Sequence, residues 1–395
     1  MAKRAARAWM PAVLAAAAIG LWWLLAVRSA YQGQATALFM IGENTPMPAW
    51  LEAREPLYRW HGSGGYDGQY FHLLAHAPFE FPVLAPLMDR PRMRCQRILI
   101  PALAWLAAGG RFERVDTAYF AVILASLAAG VWWTGRLAAH HGLSPWWGLA
   151  FLALPASLGS IDRMLVDGPL MAAMAGFLLW METGSWRAAW LLAAAAPFVR
   201  ETGLLIPAAA VLVFASRRSW MTAALWSATA APFLLWLLVM QNLPGSGPMT
   251  WAGPFHSIVR LISESEPFDR YPQYRPLLQA LDLAALAGFL GACAASLHGF
   301  WISRTQRASA SLPLAAAAVS AGAAIALCHF EPRHGWDSTF SMGRVFAPVY
   351  FGLFIHGIAS GKPWLSVGFL APAALRAALP FGPVAWRAVT QITSG

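Results

Sequence analysis

The sequence predicts an all-α polytopic membrane protein, and three observations carry that prediction. Only 12% of the residues are charged and 58% are apolar, against about 25% charged in an ordinary soluble domain. Apolar runs recur from one end of the chain to the other, and helices are the economical way to satisfy such backbone in lipid. The formal net charge of +10 sits largely in short loops between those runs. No basic stripe with interleaved aromatics accompanies it, so the charge fits membrane topology and excludes a nucleic-acid partner. The spans leave no room for a soluble domain, and residues 1–395 read as a single integral-membrane domain.

Taken in order, Lys3, Arg4 and Arg7 precede an apolar run over 9–27. Its length and the poor cleavage site after it favour an uncleaved first helix over a signal peptide. The largest non-apolar stretch, 31–97, follows as a loop, and within it residues 46–60 mix charge with aromatics as a short interfacial helix would. Residues 98–109 are apolar but would make only about 18 Å of helix, too short to span, so they are expected to enter the membrane and return. Further apolar segments at 117–137, 144–159, 164–181, 186–199, 203–216, 219–241, 277–301, 309–329, 343–360 and 364–381 bring the expected total to about eleven transmembrane helices.

If 98–109 does not cross, Arg136, Arg187, Arg217, Arg218, Arg304, Arg307 and Lys362 share the side of the N-terminal basic cluster, as the positive-inside rule requires. The loop 31–97, the turns at 157–163 and 199–203, and the segments 241–276 and 329–343 then face the compartment outside the cytoplasm. Cys95, Cys293 and Cys328 are too few and too scattered for a disulfide framework or a thiolate metal site.

Candidate chemistry concentrates in Gly64-Gly65-Tyr66-Asp67-Gly68-Gln69-Tyr70-Phe71. Aromatic faces cover the apolar face of a pyranose, glycines let substrate approach the backbone, and a carboxylate takes a hydroxyl proton. A tight aromatic-capped turn with an exposed Asp reads similarly. Arg92, Arg94 and Arg97 gather where the loop re-enters the membrane, either as a snorkelling belt or as a phosphate clamp. The clamp is preferred, because a lipid phosphate lies at that depth. Asp167 opens an otherwise apolar helix, where it suits the helix dipole or, as a membrane-edge charge, a functional site. Arg200-Glu201 is either a local ion pair or a substrate contact, and Arg344 either anchors the span it opens or binds a phosphate. His72 and His76 share a helix face but lack the metalloprotease glutamate, so they read as a surface-helix pair. The spacing of His329, Glu331, Arg333 and His334 matches no familiar metal site.

The pattern Gly65-Tyr66-Asp67-Gly68-Gln69-Tyr70-Phe71, then Asp89-Arg90-Pro91, then Arg94-Cys95-Gln96-Arg97-Ile98-Leu99-Ile100-Pro101, resembles bacterial integral-membrane glycosyltransferases of the GT-C superfamily. Asp167-Gly168-Pro169 and Arg200-Glu201-Thr202-Gly203 are similar to later motifs of that group. The resemblance covers the first half of the chain by motif and the second half only by hydropathy.

It implies a GT-C-like bundle with a large first extracytoplasmic loop, placed in a bacterial inner membrane with its N-terminus cytoplasmic. Such enzymes transfer a sugar, with inversion, from a polyprenyl-phosphate-linked donor to a glycan, lipid or protein acceptor outside the cytoplasm. A phosphate leaving group needs no general acid, so one carboxylate suffices. The resemblance makes Asp67 the general base and places Tyr66, Gln69, Tyr70, Arg94, Gln96, Arg97, Asp167, Arg200 and Glu201 around the substrate. No cofactor is expected, and a divalent metal is left open. The rival reading is a flippase or transporter of a lipid-linked saccharide, which would lean on Asp282; a third is a non-catalytic membrane scaffold.

Overall fold

Backbone that must satisfy its own polar groups folds into helices, and the chain does so. The computed structural model describes residues 7–243, 275–305 and 343–394. The expected span 309–329 and the cluster at 329–334 lie outside the described residues. Among those described there is no strand, and an isolated bridge joins Gly42 to Trp60.

The helices used below are α1 (Trp9–Ala30), α2 (Gly68–His76), α3 (Pro91–Cys95), α4 (Leu99–Ala107), α5 (Val115–His140), α6 (Pro155–Arg163), α7 (Asp167–Glu182), α8 (Trp186–Val199), α9 (Leu205–Ser216), α10 (Trp220–Ser227), α11 (Ala231–Met240), α12 (Arg275–Thr305), α13 (Ala347–Ala359), α14 (Pro363–Ala378) and α15 (Phe381–Ser394). Among the described residues, four stretches are long and apolar enough to cross a membrane: Trp9–Ala30, Phe112–His140, Trp220–Met240 and Pro276–Gly299. A fifth arises if α14 and α15, bent by 54°, count as one broken span. Apolar segments at Trp186–Val199, Glu201–Ser216 and Ala347–Ala359 are also helical, but the first, at 14 residues, gives only about 21 Å of helix against a hydrocarbon core of about 30 Å.

The apolar segment 144–159 is not one helix. Pro145–Ala153 winds as a 3₁₀-helix, Leu154 is extended with ψ 132°, and α6 starts at Pro155. A residue before proline is driven out of the α region, which breaks the segment there. The short segment after the large loop is α4, nine residues long and so about 14 Å. It packs between α2 and α5.

The large loop is itself folded. The interfacial helix expected over 46–60 shrinks to the single turn Ala49–Glu52. Phe39, Ile41, Leu51, Phe71, Leu73 and Leu74 are fully buried and continuous with the core of the bundle. Trp60 donates its indole N–H to the Ala37 carbonyl at 2.9 Å, closing the loop on itself. This buried layer, carried by α2, is what positions Asp67.

Candidate functional site

Asp67 does not sit in a polar turn; it is the residue from which α2 springs. Its backbone is already helical, and its carboxylate does not cap the helix. Two constraints fix the approach. Gly65 takes φ +79°, a conformation open to glycine at little cost. Gly68 has no room for a Cβ, which would overlap the backbone carbonyls of Arg163 and Phe39. The start of α2 is therefore pressed against the end of α6. Gln69 secures the turn rather than facing the pocket: its Oε1 accepts from Gly42 N at 3.0 Å, and its Nε2 donates to the Gly64 carbonyl at 3.3 Å.

Around Asp67 the tertiary structure gathers four arginines from three separate stretches of the chain. Arg94, on α3, uses Nε and Nη2 on Asp89 at 3.0 and 2.9 Å and turns Nη1 to Asp67 at 2.8 Å. Arg97 repeats the arrangement, with Nε and Nη2 on Glu201 at 2.8 and 2.6 Å and Nη1 3.8 Å from Asp67. Arg344, just before α13, brings Nη2 to 3.3 Å from Asp67 and Nε to 3.6 Å from Asp167. Arg200 pairs with Asp167 and lies 3.7 Å from Glu201. Gln96 donates to Glu201 at 3.3 Å. Arg200 and Glu201 thus reach separate partners instead of closing only on each other.

The aromatic residues join through cation–π contacts. Tyr66 lies beneath Arg163 and Arg344, with guanidinium carbons 4.5 and 5.0 Å from the ring centroid. Tyr70, buried, holds Arg94 at 4.8 Å. Beside this cluster opens a cleft of about 570 Å³ whose lining includes Glu43, Asn44, Ser63, Tyr70, Met88 and Asp89. Tyr70 and Asp89 belong to both, so the cleft leads onto Arg94.

The electrostatics follow from the geometry. Burial pushes the Asp67 carboxyl up, but Arg94, Arg344, Arg97 and Arg200 outweigh it and hold it well below the usual carboxylate range. Arg94 is held firmly charged: burial opposes this, and Asp67 and Asp89 overcome it. The arginines are not saturated. Among the described residues, Arg344 Nε and Nη1 and Arg200 Nε are buried without a hydrogen-bond partner. Unpartnered buried donors are costly, and an anion entering the cluster would satisfy them.

Of the residues expected from sequence to face substrate, Tyr66, Asp67, Tyr70, Arg94, Gln96, Arg97, Asp167, Arg200 and Glu201 come together, while Gln69 lies beneath them. Arg92 stands apart, donating to the Leu243 carbonyl at 3.0 Å. Asp282, on which a transport reading leans, forms an interhelical ion pair with Arg376 at 2.6 Å. Arg344, read from sequence as either a helix anchor or a phosphate ligand, is drawn into the cluster from a position 277 residues away. The histidine pair departs most from expectation: His72 and His76 are not on a surface, and their side chains are 0% and 1% exposed. No family model, curated protein or solved structure matches the chain.

Proposed function

We propose that this chain is a membrane glycosyltransferase of GT-C type. It would move a sugar from a polyprenyl-phosphate-linked donor to a glycan, lipid or protein acceptor outside the cytoplasm, in a bacterial inner membrane with the N-terminus cytoplasmic. In this reading the full bundle approaches eleven helices, some broken. The observation that carries the proposal is a half-buried carboxylate, Asp67, ringed by Arg94, Arg97 and Arg344 beside an open cleft.

In this reading the arginines bind the donor phosphate, for which guanidinium geometry is suited. Without donor, Asp67 is their counter-ion, and a carboxylate held so far below its usual range is a weak base. The donor phosphate competes for the same guanidiniums. Once they turn to it, Asp67 is released and its proton affinity rises, so the base is armed only when donor is bound. Asp67 then takes the acceptor hydroxyl proton as the acceptor oxygen bonds to the anomeric carbon from the face opposite the phosphate. The bond from that carbon to the phosphate oxygen breaks, with inversion. The charge left on the lipid phosphate stays on Arg94, Arg97 and Arg344. Tyr66 and Tyr70 border the sugar and brace the arginines.

The test is transfer from radiolabelled polyprenyl-phosphate hexoses and pentoses in reconstituted vesicles, wild type beside Asp67→Asn. Transfer by the wild type, lost in a variant that still binds donor, is the expected result. Labelled lipid crossing the bilayer equally in both proteins, with no transfer, would replace the enzyme with a flippase.

A further inference from the structure

His72 and His76 lie one turn apart on α2 and so project from one face. That face is turned inward. Glu55, from the loop after Ala49–Glu52, and Asp116, in the first turn of α5, converge on it. Each residue offers one ligand atom, and the four atoms lie within 4.8 Å of one another. His72 Nε2 is 2.9 Å from Glu55 Oε1 and 3.1 Å from Asp116 Oδ1. His76 Nε2 is 3.8 and 3.2 Å from the same two oxygens.

Those four nitrogen–oxygen separations bracket the edge of a tetrahedron, about 3.3–3.6 Å, that follows from zinc–ligand bonds of about 2.0–2.2 Å. The contacts are also poor hydrogen bonds. His72 Nε2 and Glu55 Oε1 are fully buried and close, yet neither has a well-aligned hydrogen-bond partner among the described residues; His76 Nε2 has one, to Asp116. Two imidazole nitrogens and two carboxylate oxygens gathered this closely can share one ion. Phe39 packs on the His72 ring and Phe112 on the His76 ring, each at 4.5 Å between centroids, so the two rings are held in place.

We propose that Glu55, His72, His76 and Asp116 bind one divalent transition-metal ion, with zinc the ion their two nitrogens and two oxygens suit. Two carboxylates balance the charge of the ion when both imidazoles are neutral, which makes its burial affordable. Four protein ligands leave no open position, so the ion is structural. It fastens the extracytoplasmic loop to the first turn of α5 and holds α2, the helix that begins immediately after Asp67. Among the described residues, neither His72 Nδ1 nor His76 Nδ1 has a hydrogen-bond partner, and histidine ligands lacking that outer support bind about 10–100-fold more weakly. The ion is therefore removable by chelators. None of this depends on the glycosyltransferase reading.

The experiment uses the full-length chain in detergent, purified without chelator and without a polyhistidine tag. Plasma mass spectrometry of the wild type is expected to find about one zinc per chain, and at least ~10-fold less in His72→Ala/His76→Ala. Should that variant fail to fold, Asp116→Asn provides the comparison. Chelator treatment should lower the unfolding temperature of the wild type and zinc should restore it, with no recovery in Asp116→Asn. Cobalt substitution should give the visible absorption of a four-coordinate site. Absence of bound metal, together with no thermal response to zinc or cobalt, overturns the proposal and leaves a buried imidazolium–carboxylate cluster. Metal retained undiminished by both variants overturns the assignment of ligands.

Discussion

Replacing Asp67 by Asn preserves shape and removes the anion on which Arg94, Arg97 and Arg344 converge. Deleting one partner of a buried ion pair costs about 3–5 kcal/mol, because the remaining charge is left uncompensated. The Asp67 side chain is 15% exposed, so water screens it little. Arg94 and Arg97 nonetheless keep their two-pronged bonds to Asp89 and Glu201, which places the expected loss at the low end, about 3 kcal/mol. Thermal unfolding in micelles, followed by the emission of the 21 tryptophans, should show a fall of about 4 °C.

Inorganic phosphate should then restabilise the variant more than the wild type, since it no longer competes with the carboxylate. The pH dependence has a defined sign. A carboxyl depressed on folding contributes stability that is complete above its unfolded value of about 3.9 and is lost as pH falls through the folded value. The gap between wild type and variant should stay constant from about pH 5 to 8 and close only in stronger acid. Equal unfolding temperatures, or the same phosphate increment in both proteins, would refute the counter-ion argument.

Three other perturbations test separate parts of the reasoning. Arg97→Ala removes a guanidinium assigned to the phosphate, and both donor affinity and rate should fall, the rate by about 10²–10³-fold; unchanged transfer kinetics would exclude Arg97 from the site. Gly68→Ala sets a Cβ against the Arg163 and Phe39 carbonyls and should cost about 1–3 kcal/mol, with transfer impaired because Asp67 is displaced; a variant as stable as the wild type would show that α2 can shift freely. Arg376→Leu removes the Asp282 ion pair between α12 and α14 and should destabilise by about 1.5–3 kcal/mol, with the pairwise part measured by a double-mutant cycle that includes Asp282→Leu/Arg376→Leu.

Hydropathy is a local property, so helix content and the positions of α5, α7, α8, α9 and α12 are legible in the chain itself. The segment expected as one helix over 144–159 breaks before Pro155 instead, and the restriction that proline places on Leu154 is the local signal for that break. Membership of the arginine cluster is legible only in part. Asp67, Arg94 and Arg97 lie within one stretch of sequence, and charged residues at the ends of apolar runs draw attention to Asp167 and Arg200. Which carboxylate faces which guanidinium is decided by packing: Arg344 reaches Asp67 across 277 residues, and Arg97 reaches Glu201 across 104. The histidines show the limit most clearly. A spacing of four specifies that His72 and His76 share a face, but whether that face meets water or Glu55 and Asp116 depends on how α2 lies against α5. Periodicity along a helix carries no information about what stands opposite, because that is settled by the burial of Phe39, Phe71 and Leu74 on the same helix–loop unit.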